Sequence, residues 1–211
     1  MPPHLSGLTR LSLETVPSVC HECTWWQSRG PRAIDKDRWM EKAELEFGAF
    51  GTVYYDSDGK VLGSMQSGPA HAFPRSYELP AGPPSDDAIL VTCAYLVDHS
   101  SPWVLQSLFL AAIGEARDRG ARGLEAFSYR YPEGESPYER FRVHKTVFPQ
   151  DFLADLGFEV KRVAGRVGLS RLELGGLVPV VEGRREKVLR VVTGALAGPD
   201  PVPGRTGVAR P

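Results

Sequence analysis

The sequence predicts an α/β fold, a central mixed β-sheet flanked by helices on both faces, and three observations predict it. Residues 88–97 (AILVTCAYLV) are almost unbroken apolar and rich in strand formers, the pattern of a strand buried on both faces of a sheet. Residues 102–119 repeat apolar side chains at three- and four-residue spacing, which is the stripe of an amphipathic helix. Shorter strand-like segments lie on either side of this pair, and an interleaved order of strands and helices favours a layered sheet with helices against it.

Taken in chain order, residues 1–30 mix Pro, Ser and short apolar runs and read as ordered but irregular. Residues 35–47 place acids early and space Trp39, Ala43 and Phe47 four apart, on one helical face, with Gly48 as the stop. Residues 51–65 read as a β-hairpin, β-branched and aromatic residues flanking a turn in which Gly59 tolerates positive φ. Residues 67–87 contain five prolines and read as a long surface loop, because proline suits neither a helix interior nor a central strand. The central strand then leads into Asp98, His99, Ser100, Ser101 and Pro102, a helix start with a hydroxyl at the cap and proline at the first helical position. That helix buries Val104, Leu105, Leu108, Phe109, Ala112, Ile113 and Ala116 and ends at Gly120. A strand at 123–129, a polar aromatic loop at 130–145, a short helix at 149–156 and strands at 158–163 and 166–174 complete the domain, assigned to residues 1–176. Residues 177–211 are read as a helix over 182–197 followed by a Pro/Gly-rich disordered tail.

Composition excludes several classes of function. With 25 basic and 26 acidic residues the net charge is −1, so no long-range field recruits nucleic acid or an anionic membrane. No apolar stretch reaches the roughly 18 residues of a membrane span, and the N-terminus lacks a secretory pattern; a cytoplasmic protein is expected. Cys20, Cys23 and Cys93 are too few for a disulfide framework. Cys20-x-x-Cys23 is half of a zinc spacing without a second half, so free thiols are expected and no metal site. Trp25, Trp26 and Trp39 suit either a substrate pocket or, more simply, the core.

Two segments carry a resemblance to a known family: residues 115–126 (EARDRGARGLEA), a helix-to-strand passage, and residues 152–160 (FLADLGFEV), a short helix running into a strand. With the order of elements over 47–174, they resemble the GNAT superfamily of acyl-CoA-dependent N-acyltransferases. The resemblance implies that the strand at 88–97 splays from its neighbour and that acetyl-CoA, as co-substrate, lies in the resulting V. It places the pyrophosphate on the following helix N-terminus, where free N–H groups and the helix dipole favour an anion. The cofactor-binding residues it implies are Leu96, Val97, Ser101, Trp103, Val104 and Leu105. The family's phosphate motif falls on Ser100, Trp103 and Leu105, none of which matches, and the bulk of Trp103 and Leu105 is expected to hold the pyrophosphate off. The usual tyrosine acid falls on Leu153, which cannot donate a proton. Asp98 and His99 are then the candidate bases, and Tyr129, with Tyr131 and Tyr138 near it, the candidate acid. The implied acceptor is a primary amine of a small molecule or a protein lysine; homodimerisation is left open. A relative that keeps the fold only as a ligand-binding or protein-interaction module is the competing reading.

Overall fold

The structure, a computed structural model, describes residues 2–30, 34–98, 101–132 and 144–175, all within one unit, Met1–Gly176. In chain order its elements are β1 (His4–Gly7), α1 (Arg10–Leu13), α2 (Ser18–Glu22), α3 (Lys36–Phe47), β2 (Gly51–Tyr55), β3 (Val61–Pro69), β4 (Ala88–Leu96), α4 (Pro102–Asp118), β5 (Gly123–Tyr129), β6 (His144–Lys145), β7 (Phe148–Pro149), α5 (Gln150–Asp155), β8 (Glu159–Ala164) and β9 (Val167–Glu173). The strands form one mixed sheet in the order β1-β2-β3-β4-β5-β9-β8, which puts β4 at its middle as the apolar run requires. The neighbours β3 and β4 are antiparallel and β4 and β5 parallel, the crossover being α4.

Local chemistry fixes the boundaries. Asp35 caps α3 by accepting the Arg38 N–H (3.1 Å), and Gly48 ends it with a φ of 79°. Pro102 opens α4; Ser101 holds the cap position, although its hydroxyl makes no capping bond. In the β2–β3 turn, Asp56 Oδ1 accepts N–H groups from Asp58 (2.8 Å) and Lys60 (2.9 Å), while Gly59 supplies a φ of 80°. Gly51 at the hairpin's start tolerates no side chain, since a Cβ there would lie 2.0 Å from the Met65 carbonyl.

Helices cover both faces. Leu105, Leu108, Phe109 and Ala112 of α4 and Leu153 of α5 pack on Val91, Ala94, Leu124 and Ala126 of the sheet. On the opposite face α1 and α3 bury Leu13, Met40 and Ala43 against Phe50 and Val53, and Trp26, Phe73 and Ala81 cover Leu90, Phe127 and Leu169.

Two expectations are corrected. The N-terminal segment is not irregular throughout: His4–Gly7 pairs antiparallel with β2 as the sheet's edge, and two short helices come after it. The proline-rich stretch is not a loop from 67 onward, because β3 continues to Pro69, and beyond Pro69 several residues are packed into the core while others stay exposed. Phe73, Ser76 and Ala81 are buried, and Ser85 donates twice to Glu125, from its N–H (2.8 Å) and its hydroxyl (2.6 Å). Prolines at 69 and 74 flank tight 3-10 turns, which proline's fixed φ favours, and the apolar residues between them have a sheet face to cover. The expected helix at 182–197 and the tail lie outside the described residues.

Candidate active site

The site begins with one extra residue. Along β3 and β4, Gln66 faces Cys93 but Ser67 faces Val91, so Thr92 is opposite no residue of β3 and forms a β-bulge. The buried Thr92 hydroxyl donates to the Gln66 carbonyl (3.1 Å), which holds the bulge against β3. The bulge shifts the alternation of β4 by one. Ile89, Val91, Ala94 and Leu96 face α4, whereas Leu90 and Cys93 face the other layer. On the β5 side, ladder pairing stops at this same point, its last partners being Val91 and Ala126.

Beyond the bulge β4 and β5 have different partners. Ala94 and Tyr95 pair antiparallel with Lys145 and His144 of β6, while Ser128 and Tyr129 pair with Phe148 and Pro149 of β7. Since the far edges of these strands are taken by β3 and β9, β6 and β7 stand in the gap between β4 and β5. The gap is a V, and the segment 144–149 bridges it.

Against the layer opposite α4, the bulged end of β4 lines a narrow cleft of about 40 Å³, room for two or three waters. Its floor is Ser64, Gln66, Cys93 and Tyr95; its walls are Cys20, Cys23 and Lys36, with Leu13, Val16, Trp26 and Gln27 closing the sides. The three cysteines of the chain thus meet in one place. Trp26 is 1% exposed, stacks on Phe127 at 5.9 Å, and its indole N–H has no partner among the described residues. A buried donor left unpaired costs about 1–3 kcal/mol, a reason to expect a ligand or water to meet it. Arg75 fastens this wall: its Nε donates to the Trp25 carbonyl (2.5 Å), its Nη2 to the Ser28 hydroxyl (3.0 Å), and its guanidinium lies 4.8 Å over the Trp25 ring. Gln27 Nε2 donates to Gln66 Oε1 (3.0 Å), joining wall to floor. Lys36 reaches in from the first turn of α3 and donates to the Cys20 carbonyl. Burial sets the acid–base character of the cleft. It pushes the Cys20 thiol up and the Cys93 thiol up to about 12, and it pushes the Lys36 amine down.

The residues singled out from sequence lie elsewhere or only near this cleft. Asp98 is exposed in the β4–α4 turn, its carbonyl accepting the Ser101 N–H (3.3 Å). His99 and Ser100 lie outside the described residues, as does Tyr138. Tyr129 lines a separate groove with Tyr131, Gln150 and Asp151, and its hydroxyl is 3.5 Å from Arg166 Nη1. Leu96, Val104 and Leu105 are core residues at 0–1% exposure, and Val97 is exposed with its N–H given to Leu62 (3.0 Å). The steric expectation at the helix start is corrected in one respect. Leu105 is turned wholly into the core, and Trp103, half-exposed, lies edge-on to Tyr54 at 5.5 Å over β2. Leu105 therefore puts no bulk in front of the α4 N-terminus. Sequence reasoning missed Lys36, Cys93, Gln27 and Gln66. The Cys20-x-x-Cys23 pair signalled the cleft, as did Trp26 among the tryptophans weighed for a pocket, and the bulge that turns Cys93 toward it leaves no mark in a run of apolar residues. Among the described residues no group of three His, Cys, Asp or Glu side chains is placed to hold a metal ion, and no helix is long and apolar enough to cross a membrane.

Solved structures that this chain resembles include N-acetyltransferases. An N-acetyltransferase from Staphylococcus aureus Mu50 superposes with a TM-score of 0.51 at 14% identity, covering 82% of this chain and 99% of its own. The PaiA N-acetyltransferase of Thermoplasma acidophilum, in complex with coenzyme A, gives 0.45 at 13% identity over 82% and 99%. YncA of Salmonella typhimurium, with its cofactor acetyl-CoA, gives 0.48 at 14% over 84% and 97%. No protein-family model matches the sequence, and no curated protein matches it. The chain has the GNAT acyltransferase fold, a mixed sheet flanked by helices.

Proposed function

We propose that the protein is an acyl-CoA-dependent N-acyltransferase in which the acyl thioester lies in the V between β4 and β5 and the acceptor amine comes from the cleft under Trp26. The observation that carries this reading is the bulge at Thr92. It parts β4 from β5 and turns Cys93 and Tyr95 toward the cleft, so one strand end borders both the V and the cleft. In such a site the amine nitrogen attacks the thioester carbonyl, the C–S bond breaks, and coenzyme A leaves as a thiolate that takes up the proton the nitrogen loses. The dipole of α4 favours the pyrophosphate at its start, where the Ser101 and Val104 N–H groups are already given to the Asp98 (3.3 Å) and Ser101 (3.0 Å) carbonyls, Pro102 contributes no N–H, and Trp103 stands aside over Tyr54. The acceptor cleft is narrow and mostly apolar, with Gln27, Ser64 and Gln66 as its neutral polar contacts. It suits a slender primary amine, of a small molecule or of a protein lysine side chain.

The bridging segment supports a second reading, a non-catalytic module of the same fold, because β6 already occupies the β4 edge at Ala94 and Tyr95. One experiment separates the two. Acetyl-CoA added to the full chain is expected to raise its Tm, as any ligand selective for the native state does. In hydrogen–deuterium exchange, residues 144–145 should lose protection while Ala94 and Tyr95 keep theirs. A Tm and an exchange pattern unmoved by millimolar acetyl-CoA would sink the transferase reading in favour of the module.

A further inference from the structure

We infer that Lys36 is itself an acyl acceptor, an N-acylation site built into the cleft; the inference rests on the transferase reading and extends it to a particular amine. Of the lysines whose side chains are described, Lys36 alone lines the cleft that borders Cys93, Ala94 and Tyr95 of the bulged strand. It begins α3, a position where the helix dipole disfavours a cation. No carboxylate among the described residues forms an ion pair with it; its bond is to the Cys20 carbonyl.

Four side chains in this cleft could act as nucleophiles: Cys20, Cys23, Cys93 and Lys36. Burial sets Lys36 apart from Cys20 and Cys93. A thiol must ionise to attack, and burial holds the Cys20 and Cys93 thiols in the protonated form. An amine must lose its proton to attack, and the same burial favours that loss at Lys36, opposed by the Asp37 carboxylate and by the cysteines only where they are ionised. An enclosed, weakly polar cleft therefore silences these thiols and readies the amine. In the step itself, neutral Lys36 Nζ attacks the acyl carbonyl, the new C–N bond replaces the C–S bond, and the proton released from nitrogen ends on the coenzyme A sulfur. The product is a neutral amide in place of a desolvated ammonium. It would also fill part of a cleft of about 40 Å³ and so close it to further acceptors.

The test incubates the purified full chain with acetyl-CoA and locates acetyl groups by peptide mass spectrometry, with calorimetry of acetyl-CoA binding in parallel. The expected result is one acetyl group on Lys36, appearing ahead of any on Lys42, Lys60 or Lys161, and lost in Lys36→Arg. A trace of acetic anhydride, which needs no coenzyme site, should also label Lys36 ahead of those lysines, because each unit of pKa lowering raises the reactive free-amine fraction about tenfold. Binding heat with Lys36 unmodified, and Lys36 no faster than Lys42 or Lys60 toward the anhydride, overturns the inference and leaves the transferase reading standing. Absence of binding heat overturns both. The wild-type site assignment stands whether or not Lys36→Arg folds.

Discussion

The two halves of the β4–β5 pair have opposite designs. In the first, Ala88–Val91 runs in parallel register with Gly123–Ala126, and the polar groups around it are consumed by one another. Glu125, 1% exposed, accepts from Ser85 and from Arg171 Nη1 (3.2 Å), and Arg171 also binds Asp87 (2.8 and 3.2 Å) and Glu173 (2.9 Å). Gly123 leaves the room this guanidinium needs, since a Cβ there would lie 2.5 Å from Arg171 Cζ. In the second half, past Thr92, ladder pairing between the two strands ceases, a two-residue strand fills each free edge, and in the neighbouring cleft the Trp26 indole N–H has no partner, and the Lys36 amine no carboxylate partner, among the described residues. The first half is closed electrostatically and holds the sheet together. The second is open, and that is where a ligand has something to gain.

The sharpest way to break the first half is Arg171→Met. Removing one partner of a buried ion pair leaves Glu125 charged and enclosed, a loss of about 3–5 kcal/mol by urea unfolding. Glu125→Met together with Arg171→Met should recover most of it, because a buried pair replaced by apolar groups is often close to neutral. Arg171 also holds the Asp87 carboxyl below its ordinary range. That stability is present above the unfolded pKa near 3.9 and lost as pH falls through the lower folded value, so the single variant should also lose part of the wild type's acid dependence. If the halves are separable, acetyl-CoA affinity of the folded variant should stay within about twofold by calorimetry; a larger fall would show that the closed half shapes the site.

Thr92→Val acts on the boundary and should reverse the pattern. The side chains are near in shape, so the stability loss is that of one buried hydrogen bond, about 1 kcal/mol. The Gln66 carbonyl loses the hydroxyl that holds the bulge, and the strand end bordering the V relaxes. Acetyl-CoA binding should therefore weaken by more free energy than stability loses, about tenfold in Kd for 1.4 kcal/mol of lost positioning. Unchanged affinity beside a lowered Tm would make the bulge structural only.

The same division explains what could be read from sequence. The closed half obeys periodicity: the β4 run, the α4 stripe from Val104 to Ala116 and the glycine stops at 48 and 120 are written in local composition, and the expected α3, β2–β3 hairpin, β4, α4, β5, α5, β8 and β9 match the structure to within a few residues, whereas the 3-10 turns after Pro69 and the short strands β6 and β7 were not expected. The open half depends on a shift of one residue. In AILVTCAYLV nothing distinguishes Thr92 as the extra residue, since every position is compatible with either face of a strand buried on both sides. Without the bulge Cys93 cannot be assigned to the layer of Cys20 and Cys23, and Lys36, one residue after a helix cap, reads as a solvated surface lysine. Glu125 was hidden for a related reason: a carboxylate in GLEAFSY looks like a strand's exposed position until Arg171 is brought beside it from 46 residues away.

The smallest expected effect tests how enclosed the open half's cleft is. The Cys93 thiol keeps its proton up to about 12 in the native state, whereas an unfolded cysteine loses it near 8.5. Between those values the unfolded chain binds fewer protons, so this thiol's contribution is fully present below about pH 8.5 and falls as pH rises. Cys20, also raised by burial, adds a slope of the same sign. Lys36 adds the opposite one: its native pKa is lowered, so the unfolded chain binds more protons up to the ordinary lysine value near 10.4 and stability rises with pH across that window. The absolute curve mixes all three, and only a difference isolates one. Urea unfolding of the wild type and Cys93→Ala from about pH 8 to about pH 10 should give curves that converge as pH rises, by at most about 1.4 kcal/mol per pH unit. The variant begins lower through lost packing and declines less steeply, because it has no thiol to keep protonated. Parallel curves would mean that water reaches Cys93 freely, and the enclosure that separates the thiols from the amine of Lys36 would then be lost as an argument.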